Sequence, residues 1–157
     1  MAKSTMKFCT VLIWVILATI QGVKMSGIDD KATAQQDVPA FHNAPPQGHE
    51  GDALDVKQFA NDPKMRTVYG RADEARNVLY QLPCYCKCTR YLKHTSLLSC
   101  YREKHATTCD ICQKEAIFAY EKAKKGESVA QIREEVVKGD WKDMNVDSYV
   151  SSQQDKK

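Results

Sequence analysis

Eight side chains within 29 residues could ligate a metal ion: Cys84, Cys86, Cys88, His94, Cys100, His105, Cys109 and Cys112. Thiolate and imidazole are the donor set that zinc and soft copper(I) select. Spacing bears on what the thiols do. In an extended Cys84–Cys88 segment, alternate residues face one side with Cα atoms about 6.6 Å apart. That separation sits near the outer limit for a disulfide, and three sulfurs on one side of a short loop can instead share one metal or bridge two. Cys109 and Cys112 lie one turn apart at an expected helix start, where unpaired backbone N–H groups stabilise thiolate. His105 comes just before that helix and can reach the same place. Cys100, on the preceding element, faces inward beside Leu97 and Tyr101.

The same thiols carry two other readings. Six cysteines form an even set, the usual mark of a disulfide framework in an exported chain. Cys109-Asp110-Ile111-Cys112 could instead be a thiol–disulfide exchange pair, although the chain lacks the βαβ surroundings of a thioredoxin-like fold. Taken singly, Cys100 reads as a small buried hydrophobe and His94 as a surface or helix-entry residue. His42 and His49 read as solvated. Tyr69, Tyr80, Tyr101 and Tyr120 read as core, and the charged run from Glu121 to Lys125 as a solvated helix face. No nucleophilic triad, carboxylate pair, phosphate loop or C-x-x-C-H haem attachment is visible, so nothing beyond thiol exchange suggests an enzyme.

Helical elements position these residues. Asp62 and Pro63 are an N-cap and first helical residue. Met65, Val68, Tyr69, Ala72, Ala75, Val78, Leu79 and Leu82 then recur on one helical face, and Pro83 closes the helix before the cysteine loop. A second helix is expected over Ser96 to Lys104. Thr107 and Asp110 resemble a capping box for a third helix running to Lys125 and stopped by Gly126. Ile117, Tyr120 and Ala123 lie along it. Ser128 and Gln131 cap a fourth, carrying Val129, Ile132, Val136 and Val137 and ended by Gly139. No strand alternation appears. The expected fold class is all-α: about four helices around a cysteine-rich loop, with a core small enough to need a metal or covalent staple.

The chain has 157 residues and a formal net charge of +3. Lys3, Lys7 and Lys24 carry that excess, because residues 1–25 contain no acid; beyond residue 25, 20 basic residues face 20 acidic ones. The balance argues against nucleic acid. The first 25 residues read as a signal peptide or membrane anchor: Lys3 and Lys7 precede the apolar run Phe8 to Ile20, an orientation that leaves the rest outside the cytoplasm. Cys9 belongs to that segment and is set aside. Residues 26–50, rich in proline and glycine, read as a flexible tether. Residues 51–140 form the Cys/His-rich domain and 141–157 a polar tail. The expected location is the periplasmic or extracellular side of the membrane, anchored or secreted.

Leu82-Pro83-Cys84-Tyr85-Cys86-Lys87-Cys88, His94-Thr95-Ser96-Leu97-Leu98-Ser99-Cys100, and His105-Ala106-Thr107-Thr108-Cys109-Asp110-Ile111-Cys112 with Glu115-Ala116 resemble the bacterial PCYCGC, or CYCXC, motif proteins. The resemblance spans roughly residues 38–137, including Gly126-Glu127-Ser128 and Ile132-Arg133. It implies an exported protein, often a lipoprotein, of unassigned function. Some relatives place selenocysteine in the first motif, which implies a reactive or metal-ligating position there. Two departures stand out. Lys87 replaces a frequent glycine, so a positive φ there would be strained, and the lipoprotein cysteine is missing. The functional expectation is an exported, membrane-tethered protein that binds copper(I) or zinc for storage, delivery or structural support, with a membrane complex or metal-delivery protein as a possible partner. The alternatives are a thiol–disulfide redox protein using Cys109 and Cys112, or a disulfide-stapled interaction module.

Overall fold

The computed structural model describes residues 37–155. These lie in one compact unit spanning Gln36–Lys157. The expected signal or anchor segment lies outside the described residues. None of the described helices is long and apolar enough to cross a membrane.

Six α-helices and several 3-10 turns make up the unit, with no strand among the described residues. They are α1 (Pro63–Glu74), α2 (Arg76–Leu79), α3 (Cys88–Tyr91), α4 (Asp110–Lys124), α5 (Val129–Lys138) and α6 (Val146–Gln154). The all-helical expectation holds. Helix α1 starts as its sequence dictates: Asp62 Oδ1 accepts the Met65 N–H at 2.9 Å, with Pro63 at the first turn. The ladder breaks at Ala75, where the Asp73 carbonyl receives the Arg76 guanidinium at 3.2 Å. The chain then resumes as α2, and Leu79 and Leu82 both remain fully buried.

The expected helix over Ser96 to Lys104 is instead two 3-10 turns, Leu97–Tyr101 and Lys104–Thr108. Distant groups tie down carbonyls at the end of the first turn and at its exit. Leu54 N–H donates to the Tyr101 carbonyl at 2.8 Å, and Tyr69 Oη–H donates to that of Glu103 at 2.8 Å. The Thr107–Asp110 capping box also fails. Thr107 Oγ1 donates back to the Lys104 carbonyl at 2.7 Å, which leaves Cys109 at the N-cap of α4.

Helix α4 runs through the middle of the unit and buries Cys112, Gln113 and every residue from Glu115 to Tyr120. It contacts α1 along its length, and α5 and α6 pack beside it. Gly126, at φ 86°, ends it with Gly126 N–H on the Ala123 carbonyl and Glu127 N–H on that of Lys122, the paired bonds of a Schellman stop. Helix α5 has the expected reciprocal Ser128–Gln131 cap and the Gly139 terminus. The core contains Val68, Tyr69, Leu79, Leu82, Leu97, Leu98, Tyr101, Ile117, Ile132 and Val136.

Both flanks differ from expectation. The described part of the tether is pinned through two of its rings: His42 stacks on Tyr80 with ring centroids 3.8 Å apart, and the Arg133 guanidinium covers Phe41 at 4.2 Å. His42 Nε2 also lies 3.1 Å from Thr95 Oγ1, so this histidine is held rather than free. Beyond residue 140 the expected polar tail is folded as well. Trp141, Val146 and Val150 are buried, and Asn145 caps α6. Their spacing closes the core on a side that polar composition concealed.

Candidate metal centre

The Cys84–Cys88 loop is held at three points. Leu97 N–H donates to the Leu82 carbonyl at 2.9 Å, bringing the Leu97–Tyr101 turn alongside. Tyr85 N–H donates to Glu115 Oε1 at 2.9 Å, fixing the loop to the middle of α4. Tyr101 Oη–H donates to the Cys112 carbonyl at 2.7 Å, joining the turn to the first turn of α4. Cysteines from three separate chain segments thereby meet.

All six are free thiols. Cys84 Sγ lies 3.3 Å from Cys86 Sγ and 3.5 Å from Cys112 Sγ. Cys88 and Cys100 are 3.6 Å apart, and Cys100 and Cys84 are 3.9 Å apart. Cys109 joins through Cys112 at 3.2 Å. His105 Nε2 lies 3.5 Å from Cys86, and His94 Nδ1 3.3 Å from Cys100. Four sulfurs at about 2.3 Å from a tetrahedral ion stand about 3.8 Å apart, so the sulfur spacings here match those around a shared cation.

Two sets of four donors each have their ligand atoms within 4.8 Å of one another: Cys84, Cys86, Cys88 and Cys100, and Cys86, Cys100, His105 and Cys112. Either set could hold a metal ion. The structure thus gathers all eight residues expected from the sequence, with His94 and Cys109 at the margins of these sets. Cys84, Cys88, Cys100 and Cys112 are buried, whereas Cys86, His105 and Cys109 are half-buried and form the open edge.

Electrostatics distributes the protons unevenly. Hydrogen bonds from Cys100, then Cys109, Cys112 and Cys84, hold Cys86 well below the ordinary thiol range. Cys112 is pushed far up by its sulfur neighbours, Cys100 first. The helix start was expected to favour thiolate at Cys109 and Cys112; Cys109 is in fact raised too. One anion in a crowd of thiols is solvated by them, and each further ionisation is opposed by the first. A cation removes that opposition.

Two acidic groups were not among the expected site residues. Glu103 Oε1 lies 2.7 Å from His94 Nε2. A carboxylate can only accept, so Nε2 carries the proton, and Nδ1 is the ring nitrogen that faces Cys100. Glu115 is fully buried, and its Oε2 has no hydrogen-bond partner among the described residues. Burial raises its carboxyl to about 8, with the Tyr85 N–H pulling the other way. The signal for Glu115 was its position one turn beyond Cys112, on the face that also carries Ala116. Glu103 had no such signal, because it depends on a turn that the sequence does not reveal.

The family model for proteins of unknown function with the PCYCGC motif matches residues 13–145. The chain belongs to that family. No curated protein and no solved structure matches it. In this member the PCYCGC motif reads Pro83-Cys84-Tyr85-Cys86-Lys87-Cys88, with lysine in the glycine position. The reason for glycine is visible in the backbone, because Lys87 has φ 68° and immediately precedes α3. A side chain in this left-handed region costs about 1–2 kcal/mol.

Proposed function

We propose that this PCYCGC-family domain holds a soft or borderline metal ion, copper(I) or zinc, on its buried thiols, outside the cytoplasmic membrane. The observation that carries the reading is the convergence of five cysteines and His105 into donor sets spanning no more than 4.8 Å. Sulfur-rich sets favour copper(I) and zinc over hard oxygen-seeking cations. The half-buried edge at Cys86, Cys109 and His105 offers a route by which an ion could reach the buried thiols. A self-contained exchange pair at Cys109 and Cys112 fits less well, because Cys112 is also 3.5 Å from Cys84. The exported location is supported by the positive flank and apolar run of residues 1–25.

Binding should be linked to folding, because the thiols must deprotonate and the ligands must assemble. Reduced, metal-stripped full-length protein should take up zinc or copper(I) stoichiometrically and gain thermal stability. A chain that melts at one temperature with or without either metal would sink the proposal. For the location, protease added to intact spheroplasts should digest the domain; digestion only after lysis would refute it.

A further inference from the structure

Resting on the metal-binding reading above, we infer that the site holds two ions that share the sulfurs of Cys86 and Cys100. A tetrahedral ion takes four donors, yet six distinct donors fall into two four-membered sets with only these two cysteines in common. One set is completed by Cys84 and Cys88, the other by His105 and Cys112. Cys86 is the physical junction: its sulfur lies 3.3 Å from Cys84 on one side and 3.5 Å from His105 Nε2 on the other. Cys100 lies 3.6 Å from Cys88 and 3.9 Å from Cys84 in the first set, and within 4.8 Å of His105 and Cys112 in the second. A thiolate sulfur has lone pairs enough to bridge two cations, whereas an imidazole nitrogen has only one. The shared positions are both cysteines, as bridging requires.

Charge favours the second ion. One zinc on Cys84, Cys86, Cys88 and Cys100 leaves a net charge of about −2 in a buried site, and buried net charge is costly. A second zinc recruits only one further thiolate, Cys112, together with the neutral ring of His105. The net charge falls to about −1. The second ion thus improves the electrostatics of a centre whose ligands are already assembled. Each thiol engaged gives its proton to solvent on binding.

The test uses reduced, metal-stripped full-length chain titrated with zinc and weighed intact by native mass spectrometry. Saturation at two zinc ions per chain is the expected result. In the same protein loaded with cadmium-113, two resonances should appear, each split by the other through a shared sulfur. Saturation at one ion overturns the inference and leaves the metal-binding reading standing. Two uncoupled cadmium resonances overturn the sharing. No bound ion of zinc or copper(I) overturns both readings. These readouts need no variant, so a substitution that misfolds cannot obscure them. Cys86→Ser adds a check, since loss of a bridge should weaken both ions about tenfold or more, and an unchanged affinity for either would also count against sharing.

Discussion

His94 Nε2 and Glu103 Oε1 stand 2.7 Å apart, the histidine buried and the carboxylate half in solvent. This contact fixes the ring so that Nδ1, at 3.3 Å, faces Cys100 Sγ. Carboxylates behind a metal-ligating histidine typically contribute 10–100-fold to metal affinity; His94 stands outside both four-donor sets and would act on a bound ion through Cys100, so the lower end of that range applies. Glu103→Ala should therefore weaken zinc binding about tenfold in competition with a chelator. The metal-free melting temperature should fall modestly, because the buried His94 Nε2–H loses its acceptor. Equal affinity in the two proteins would remove His94 and Glu103 from the metal centre.

Glu115 gives the metal-free domain a pH-dependent stability. Its folded carboxyl titrates at about 8, against an ordinary value of 4.5, because burial disfavours the charge. The fold therefore prefers the protonated acid. That contribution is complete below about pH 4.5 and is lost as pH rises through 8, amounting to something on the order of 4 kcal/mol. Glu115→Gln keeps the shape and should remove this loss, so the variant gains on the native chain as pH rises from 5 to 8. Thermal melts of both metal-free proteins across that range provide the measurement. Curves that run parallel would show that Glu115 does not titrate as described.

Local chemistry explains which features could be read directly. The caps at Asp62 and Ser128 and the stop at Gly139 each depend on residues within four positions of one another, and each formed as expected. The eight candidate donors were recognisable because cysteine and histidine are scarce and their spacing is unusual. The Ser96–Lys104 segment was misread because its two turns are anchored to Leu54 and Tyr69, far away in sequence. The pairing of His94 with Glu103 depends on that same turn and was hidden with it. Residues 141–157 were misread for a different reason. Serine, glutamine, aspartate and lysine dominate their composition, while Trp141, Val146 and Val150 are buried in the core and Met144 and Tyr149 pack against it.

Trp141 tests how firmly that last segment belongs to the domain. The ring is buried, and its Nε1–H donates to the Val136 carbonyl at 3.2 Å, closing the end of α5. Truncating a buried tryptophan typically costs 3–5 kcal/mol. Trp141→Ala should lower unfolding stability by about 3 kcal/mol, read from the denaturant midpoint at constant slope. A change below about 1 kcal/mol would mean that the segment from residue 140 adds little to the fold.

Lys87 offers the opposite experiment, a substitution expected to stabilise. Its φ of 68° places a side chain in the left-handed region directly before α3. Glycine adopts that geometry without the steric penalty of a Cβ. The gain is partly offset, because glycine also loosens the unfolded chain. Lys87→Gly should therefore raise metal-free stability by about 0.5–1 kcal/mol and return the motif to its PCYCGC form. Because Cys86 and Cys88 flank the position, the relief should also reach the metal centre: the loop no longer stores strain that bound metal must hold in place, so zinc affinity should rise modestly or stay level. The checks are a thermal melt of the stripped protein and a chelator competition with zinc. A lower melting temperature for the glycine variant would show that the lysine side chain contributes more than its backbone geometry costs.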